Sequence, residues 1–266
     1  MAERPGSEPR ISEQPRSEPR ISEQPGSEPY DPDNLLDRHS SRLTLEHHYA
    51  LMQARERELV DRRLRLSGGR VLSVGAGWHP GRHLFPAPEF ELVAADADPA
   101  KVAGLLETGR ADQAVVGYAG RLGLAPRSFD VVLYRLVLHH IAYKEPLAPC
   151  FAEAAVLLAP RGALVAIEPG LWHPVGAALA AANRVGLGTR LHGTPDDVPL
   201  SPRRLLDEAR AAGLSAELHA VTYAWRRLPP AAQRAVGALD RPLGSRGRSA
   251  RVGHTLMLIA RADRRA

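Results

Sequence analysis

The sequence predicts an α/β fold, a doubly wound, mostly parallel seven-stranded sheet with helices on both faces. Three observations predict it. Short runs of Val, Leu, Ile and Ala recur through residues 70–260 with helical stretches between them, the alternation that builds parallel sheets from strand–helix–strand crossovers. The first run ends in a bare turn, "VLSVGAGWHPG", with Gly75 and Gly77 at its tip. The second, "ELVAAD", ends in Asp96, roughly 20 residues beyond the first glycine, where nucleotide-binding sheets of this kind place an acid.

The elements follow in order. Residues 1–30 hold a tandem decapeptide, "RISEQPRSEP" at 10–19 and "RISEQPGSEP" at 20–29, prefaced by "RPGSEP" at 4–9. Prolines and charges with almost no large apolar residues cannot offset chain entropy, so this segment is predicted to be a disordered tail. Residues 31–69 are predicted to form a helical cap. Leu45, Tyr49, Met52, Leu59, Leu64 and Leu66 recur at roughly helical spacing, and "SGG" at 67–69 stops the run. Strands are expected at 70–74, 91–95, 113–116, 130–134, 163–167, 217–223 and 254–260, with helices at 99–106, 144–158, 175–185 and 201–212. Residues 70–266 then make one domain, with a substrate-covering insertion at about 169–202. A Pro- and Gly-rich stretch separates the last two strands, which need not obey the crossover rule.

Composition narrows the function classes. Of the 266 residues, 44% are apolar, and no apolar run is long enough to span a bilayer. The N-terminus is neither a secretory signal nor an anchor by composition. The single cysteine, Cys150, lies in an apolar segment and fits a reducing, cytoplasmic setting. The net charge of +5 and pI of 9.8 invite nucleic acid as a partner. Against that, the arginines are scattered and the few aromatics form no stacking pattern.

Glycines at a strand tip let a ligand approach the backbone, and an acid at the next tip can accept both hydroxyls of a ribose. Asp98 followed by Pro99 fits a helix cap, leaving Asp96 for the ligand. The dinucleotide fingerprint wants glycine where Pro80 stands, and no phosphate loop of the G-x-x-x-x-G-K-[ST] type occurs. A nucleoside without phosphates suits these residues better.

In "VLSVGAG", "VAADADPAKV", "RSFDVVLYRLVLHHI" at 127–141 and "VLLAPRGALVAIEPG" at 156–170, the chain resembles the class I S-adenosylmethionine-dependent methyltransferases, in particular the ubiquinone/menaquinone-type small-molecule enzymes. The resemblance covers roughly residues 45–170. It implies a Rossmann-like sheet with an antiparallel last strand, S-adenosyl-L-methionine as cofactor and a small-molecule acceptor. It also implies that Gly75, Ala76 and Gly77 meet the cofactor's amino-acid end, Asp96 and Ala97 its ribose, and Tyr118 and Ala119 its adenine. Arg135 would line the floor near the sulfonium. Ser73, His79 and Tyr118 depart from the residues usual at their positions.

Methyl transfer from a sulfonium needs alignment, exclusion of water and, for many acceptors, a base. His139 and His140, just past the fourth strand, are the candidate catalytic bases; ordinary packing is their bland alternative. Candidate substrate contacts are Tyr49 on the N-terminal helix, Glu168 at the end of strand five, and Trp172, His173 and His192 in the segment after it. No short metal spacing occurs, so no metal site is expected, although Asp196 and Asp197 leave open a magnesium ion with a diphosphate substrate. Enzymatic methylation of a small acceptor at O, N or C, in bacterial secondary metabolism, is the expected function. A methyltransferase acting on a macromolecule, and a binding protein of the same fold without turnover, are the alternatives.

Overall fold

In the computed structural model, residues 41–187 and 198–262 are described. The decapeptide repeats, His192, Asp196 and Asp197 lie outside them. The first element is α1 (Arg42–Leu64), capped by Ser41, whose Oγ accepts from the Thr44 backbone N–H. It buries Leu45, Met52, Leu59 and Val60, and stops where Arg65 turns left-handed at φ 55°.

The sheet strands are β1 (Gly69–Val74), β2 (Phe90–Asp96), β3 (Gln113–Val116), β4 (Phe129–Arg135), β5 (Leu158–Pro169), β6 (Leu214–Thr222) and β7 (Thr255–Ala262). They lie in the order β3-β2-β1-β4-β5-β7-β6. β1 to β5 pair in parallel, and β7 runs antiparallel to both β5 and β6, as the sequence led us to expect. Because successive strand residues face opposite ways, each strand feeds two cores. Leu72, Val74, Val132 and Tyr134 go to one, and Val71, Leu92, Val131 and Leu133 to the other.

The crossovers carry α2 (Pro99–Glu107), α3 (Leu138–Lys144), α4 (Ala148–Leu157), α5 (Pro174–Arg184) and α6 (Pro202–Ala211). The helix expected at 144–158 starts later, at Ala148, and α3 precedes it, ending at Lys144. Pro146 forces Glu145 into an extended conformation (φ −136°, ψ 155°), which no helix can pass through. The stretch between β6 and β7 also holds more structure than expected, namely α7 (Pro230–Gly237), α8 (Asp240–Leu243) and α9 (Gly247–Ala250). No helix among the described residues is long and apolar enough to cross a membrane.

Candidate active site

The strand order reverses direction at β1, between β2 on one side and β4 on the other, so the tips of these strands open the crevice where such sheets bind ligands. Gly75 and Gly77 both turn through positive φ, 62° and 53°. A Cβ on Gly75 would strike the Val137 side chain, whereas one on Gly77 would enter open space. The first glycine therefore lets the loop pack on the start of α3, and the second leaves an accessible backbone face. The Ala76 N–H closes the turn onto Ala95 O at 3.1 Å.

Asp96 faces this loop. Its Oδ2 accepts from Gly77 N–H at 2.8 Å and its Oδ1 from Asp98 N–H at 3.0 Å. These bonds use about half of a carboxylate's roughly four acceptor sites. The remainder can take the two hydroxyls of a ribose, so the residues present fit a nucleoside-bearing cofactor. Asp98 has the capping role, accepting from Ala100 N–H at 2.9 Å with Pro99 in the first turn. Ala97 is exposed beside the acid, Ala119 packs on the core, and Tyr118 is 59% exposed with the Arg121 guanidinium 4.9 Å from its ring centroid. Trp78 lies across Gly104 of α2, where a Cβ would meet its ring.

Arg135 differs from expectation. Its side chain is buried and turns to α1, where Nε donates to Glu56 Oε2 at 3.1 Å. His83 Nε2 lies 2.8 Å from the same oxygen. Burial pushes the Glu56 carboxyl up, but Arg135, then His83, hold it below the usual carboxylate range. A buried arginine with this partner ties α1 to the tip of β4.

Glu168 and the two histidines after β4 lie together. Glu168, fully buried at the end of β5, accepts through Oε1 from Val137 N–H at 3.1 Å and Leu138 N–H at 2.8 Å. Its Oε2 accepts from His139 N–H at 3.3 Å and lies 2.6 Å from His139 Nδ1. The carboxylate thus satisfies the first N–H groups of α3, where negative charge is favoured, and fixes the imidazole. A neutral ring donating from Nδ1 leaves Nε2 as an acceptor. Glu168 is therefore not placed as a direct substrate contact, because both of its oxygens are taken up behind His139. His139 and His140 lie with ring centroids 4.0 Å apart.

Both histidines line a cavity of about 300 Å³ with Leu136, Pro169 and Gly170 at the strand tips. α1 contributes His48, Tyr49 and Met52; α5 contributes Gly176 and Leu179; the segment after β6 contributes Trp225, Arg226 and Arg227; β7 is entered through His254 and Thr255. Tyr49, a candidate substrate contact, is in this lining. Trp172 is outside this lining and lies under the Arg203 guanidinium, 5.4 Å away. His173 stands one layer back, capping α5 through Nδ1 and meeting His254 edge-on at 5.1 Å. Burial lowers the pKa of His48 to about 4, with Arg226 adding to the effect, and lowers His254 and His173 as well. Among the described residues no group of His, Cys, Asp or Glu could hold a metal ion. Cys150 is buried, and burial raises its thiol to about 11.

Sequence inspection missed Glu56, Arg226, Arg227 and His254. The only available signal was "YAWRRLPP" at 223–230, where an aromatic and two cations interrupt a Pro-rich stretch.

Residues 72–166 match a family model described as a methyltransferase domain. The comparison with curated proteins gives no match. Among solved structures, the chain is similar to an S-adenosylmethionine-dependent methyltransferase of Thermotoga maritima (TM-score 0.55, 13% identity, 84% of this chain and 96% of that one). It is also similar to a protein in the complex between the Haloferax volcanii Trm112 methyltransferase activator and a methyltransferase (0.53, 17%, 82% and 97%). A third is Haemonchus contortus phosphoethanolamine N-methyltransferase 2, solved with S-adenosyl-L-methionine (0.53, 16%, 77% and 51%). Residues 72–166 carry a methyltransferase domain, on a sheet with the fold of the S-adenosylmethionine-dependent methyltransferases to which it is similar.

Proposed function

We propose that the protein methylates a small organic acceptor at O, N or C, with His139 as general base and Asp96 and the Gly75–Gly77 loop as the cofactor grip. The observation that carries this is the His139–Glu168 pair, buried at the tips of β4 and β5 beside a partly open cavity that His139 lines. When bound, S-adenosylmethionine supplies a methyl group activated on sulfur. α1, α5 and the 225–227 segment wall the acceptor off from water and align its nucleophile. His139 takes the acceptor's proton at Nε2 as the new bond to the methyl carbon forms, and Glu168 stabilises the resulting imidazolium. His140, its ring centroid 4.0 Å from that of His139 at a tilt of 38°, is the reserve base.

The small cavity favours a small acceptor over a macromolecule. The Ala-, Arg- and Pro-rich composition supports a place in bacterial secondary metabolism, in the cytoplasm, and the four motifs support similarity to the ubiquinone/menaquinone type. Calorimetric titration with S-adenosylmethionine and S-adenosylhomocysteine, followed by methyl-transfer assays over an acceptor panel, tests the proposal. Micromolar cofactor binding with turnover on small acceptors is the expected result; no cofactor binding at high micromolar concentration contradicts it.

A further inference from the structure

We propose that a groove at the opposite end of the sheet from the candidate active site is a docking surface for an acidic, partly apolar chain segment of a partner protein. Arginines that lie scattered along the sequence gather there. Arg62 and Arg63 at the end of α1, Arg65 just past it, Arg161 near the start of β5 and Arg261 near the end of β7 line the groove. Glu217 of β6 is the one carboxylate in its described lining. Pro169, at the far end of the strand that carries Arg161, lines the cavity beside His139. Glu217 is shared by Arg63, at 3.3 Å, and Arg261, at 4.0 Å. Arg62 turns to Glu58, which Arg55 and Arg241 also hold. Arg65 and Arg161 are exposed and make no side-chain hydrogen bond or ion pair among the described residues. Positive charge therefore exceeds the acids that face it, and an incoming anionic segment is attracted.

The backbone adds an independent sign. Of the four described non-glycine residues with positive φ, two are Arg65, at 55°, and Arg161, at 73°. Glycine adopts this conformation without strain, and just past a helix end glycine or asparagine is the usual choice. Arginine kept at two such positions, exposed and unpaired, points to work done outside the fold. The rest of the lining sets the chemistry of the occupant. Leu64, half-buried, and Leu66, 38% exposed, offer apolar contact beside the cations, which suits a peptide carrying both acids and aliphatic side chains. The described lining holds no aromatic ring to stack a base, and Glu217 repels a run of phosphates, so nucleic acid fits less well. The groove, about 1390 Å³, has room for a chain segment. Ser215–Glu217, which flank it, begin β6, the outer strand of the sheet, where an extended segment can lie. Met52 lines the cavity and Arg62 the groove, about 15 Å apart along α1, so a partner held here need not cover the cavity.

Fluorescence anisotropy on the full chain tests this with four labelled probes: a peptide of glutamates interspersed with leucines, its glutamine-for-glutamate counterpart, a DNA duplex, and vesicles of phosphatidylserine. The acidic peptide should bind at least tenfold more tightly than each of the others, and added salt should weaken it several-fold, as exposed charges require. The double variant Arg65→Gly, Arg161→Gly should bind the acidic peptide about tenfold more weakly, yet melt at the same temperature as the wild type or higher. Arg65→Lys with Arg161→Lys should keep most of the binding. Peptide binding that the double glycine variant leaves unchanged, or equal or tighter binding of the glutamine peptide, the duplex or the vesicles, overturns the proposal. A lowered melting temperature of the double glycine variant also overturns it, since the two arginines would then be serving the fold. Light scattering that shows the full chain self-associating, in a complex that the double glycine variant dissociates, overturns it as well, because the occupant is then a second copy.

Discussion

Replacing Glu168 by Gln tests the catalytic pair with almost no change in shape. The Gln oxygen can take over the two bonds that Oε1 accepts from Val137 and Leu138. Its NH2 then occupies the place of Oε2, facing His139 N–H and Nδ1. Hydrogen bonds to a buried charged group are worth about 1.5–3 kcal/mol each, so losing two costs about 3–6, and a new amide bond to Nδ1 recovers about 1. The net loss of about 2–5 kcal/mol corresponds to a melting temperature lower by about 4–20 °C for a domain of this size. The functional effect comes from the tautomer. An amide donating to Nδ1 forces the proton onto Nε2, which can no longer accept from the substrate, and general-base catalysis worth about 10²–10⁴ in rate disappears. Thermal melts, cofactor titration and single-turnover methyl transfer should show a folded, cofactor-binding protein with kcat reduced by that factor. A folded variant with unchanged kcat would refute His139 as the base.

Asp96→Ala should weaken cofactor binding through one or two lost charge-assisted bonds of about 1.5–3 kcal/mol each, readable by calorimetry as at least a tenfold rise in Kd. Glu56→Gln strips a buried charge from Arg135 and His83 and should cost about 3–5 kcal/mol in denaturant unfolding. His48 is buried with its pKa lowered from 6.5 to about 4, so the folded state binds fewer protons than the unfolded chain. Its contribution is intact above pH 6.5 and is lost as pH falls towards 4, by about 3 kcal/mol at about 1.36 kcal/mol per pKa unit; His48→Gln should flatten the stability profile in that window. Cys150, raised to about 11 by burial, should resist thiol reagents at neutral pH until the protein unfolds.

Much of this architecture was legible because local pattern and tertiary role agree. The runs ending at Val74 and Asp96 are buried strands, and Asp98 with Pro99 caps α2 as their types demand. The helix expected at 144–158 starts only at Ala148, because Pro146 holds its neighbour Glu145 extended. The site was harder to read, since its partners are far apart in the chain. Glu168 and His139 are neighbours only because β4 and β5 pair in parallel. Arg135 was expected near the cofactor from the family resemblance; its pairing with Glu56 on α1 was not legible, because the two lie far apart in the chain. Arg226 and Arg227 were hidden in a Pro- and Gly-rich stretch whose helices are short; α7 packs on α1, and α8 and α9 pack on β6.

The most direct test of the central claim is a crystal structure of the protein with S-adenosylhomocysteine. The account predicts both ribose hydroxyls on the Asp96 carboxylate, the amino-acid end over Gly75–Gly77, and the sulfur facing the cavity that holds His139. A ribose bound away from Asp96, or a sulfur turned from that cavity, would contradict it.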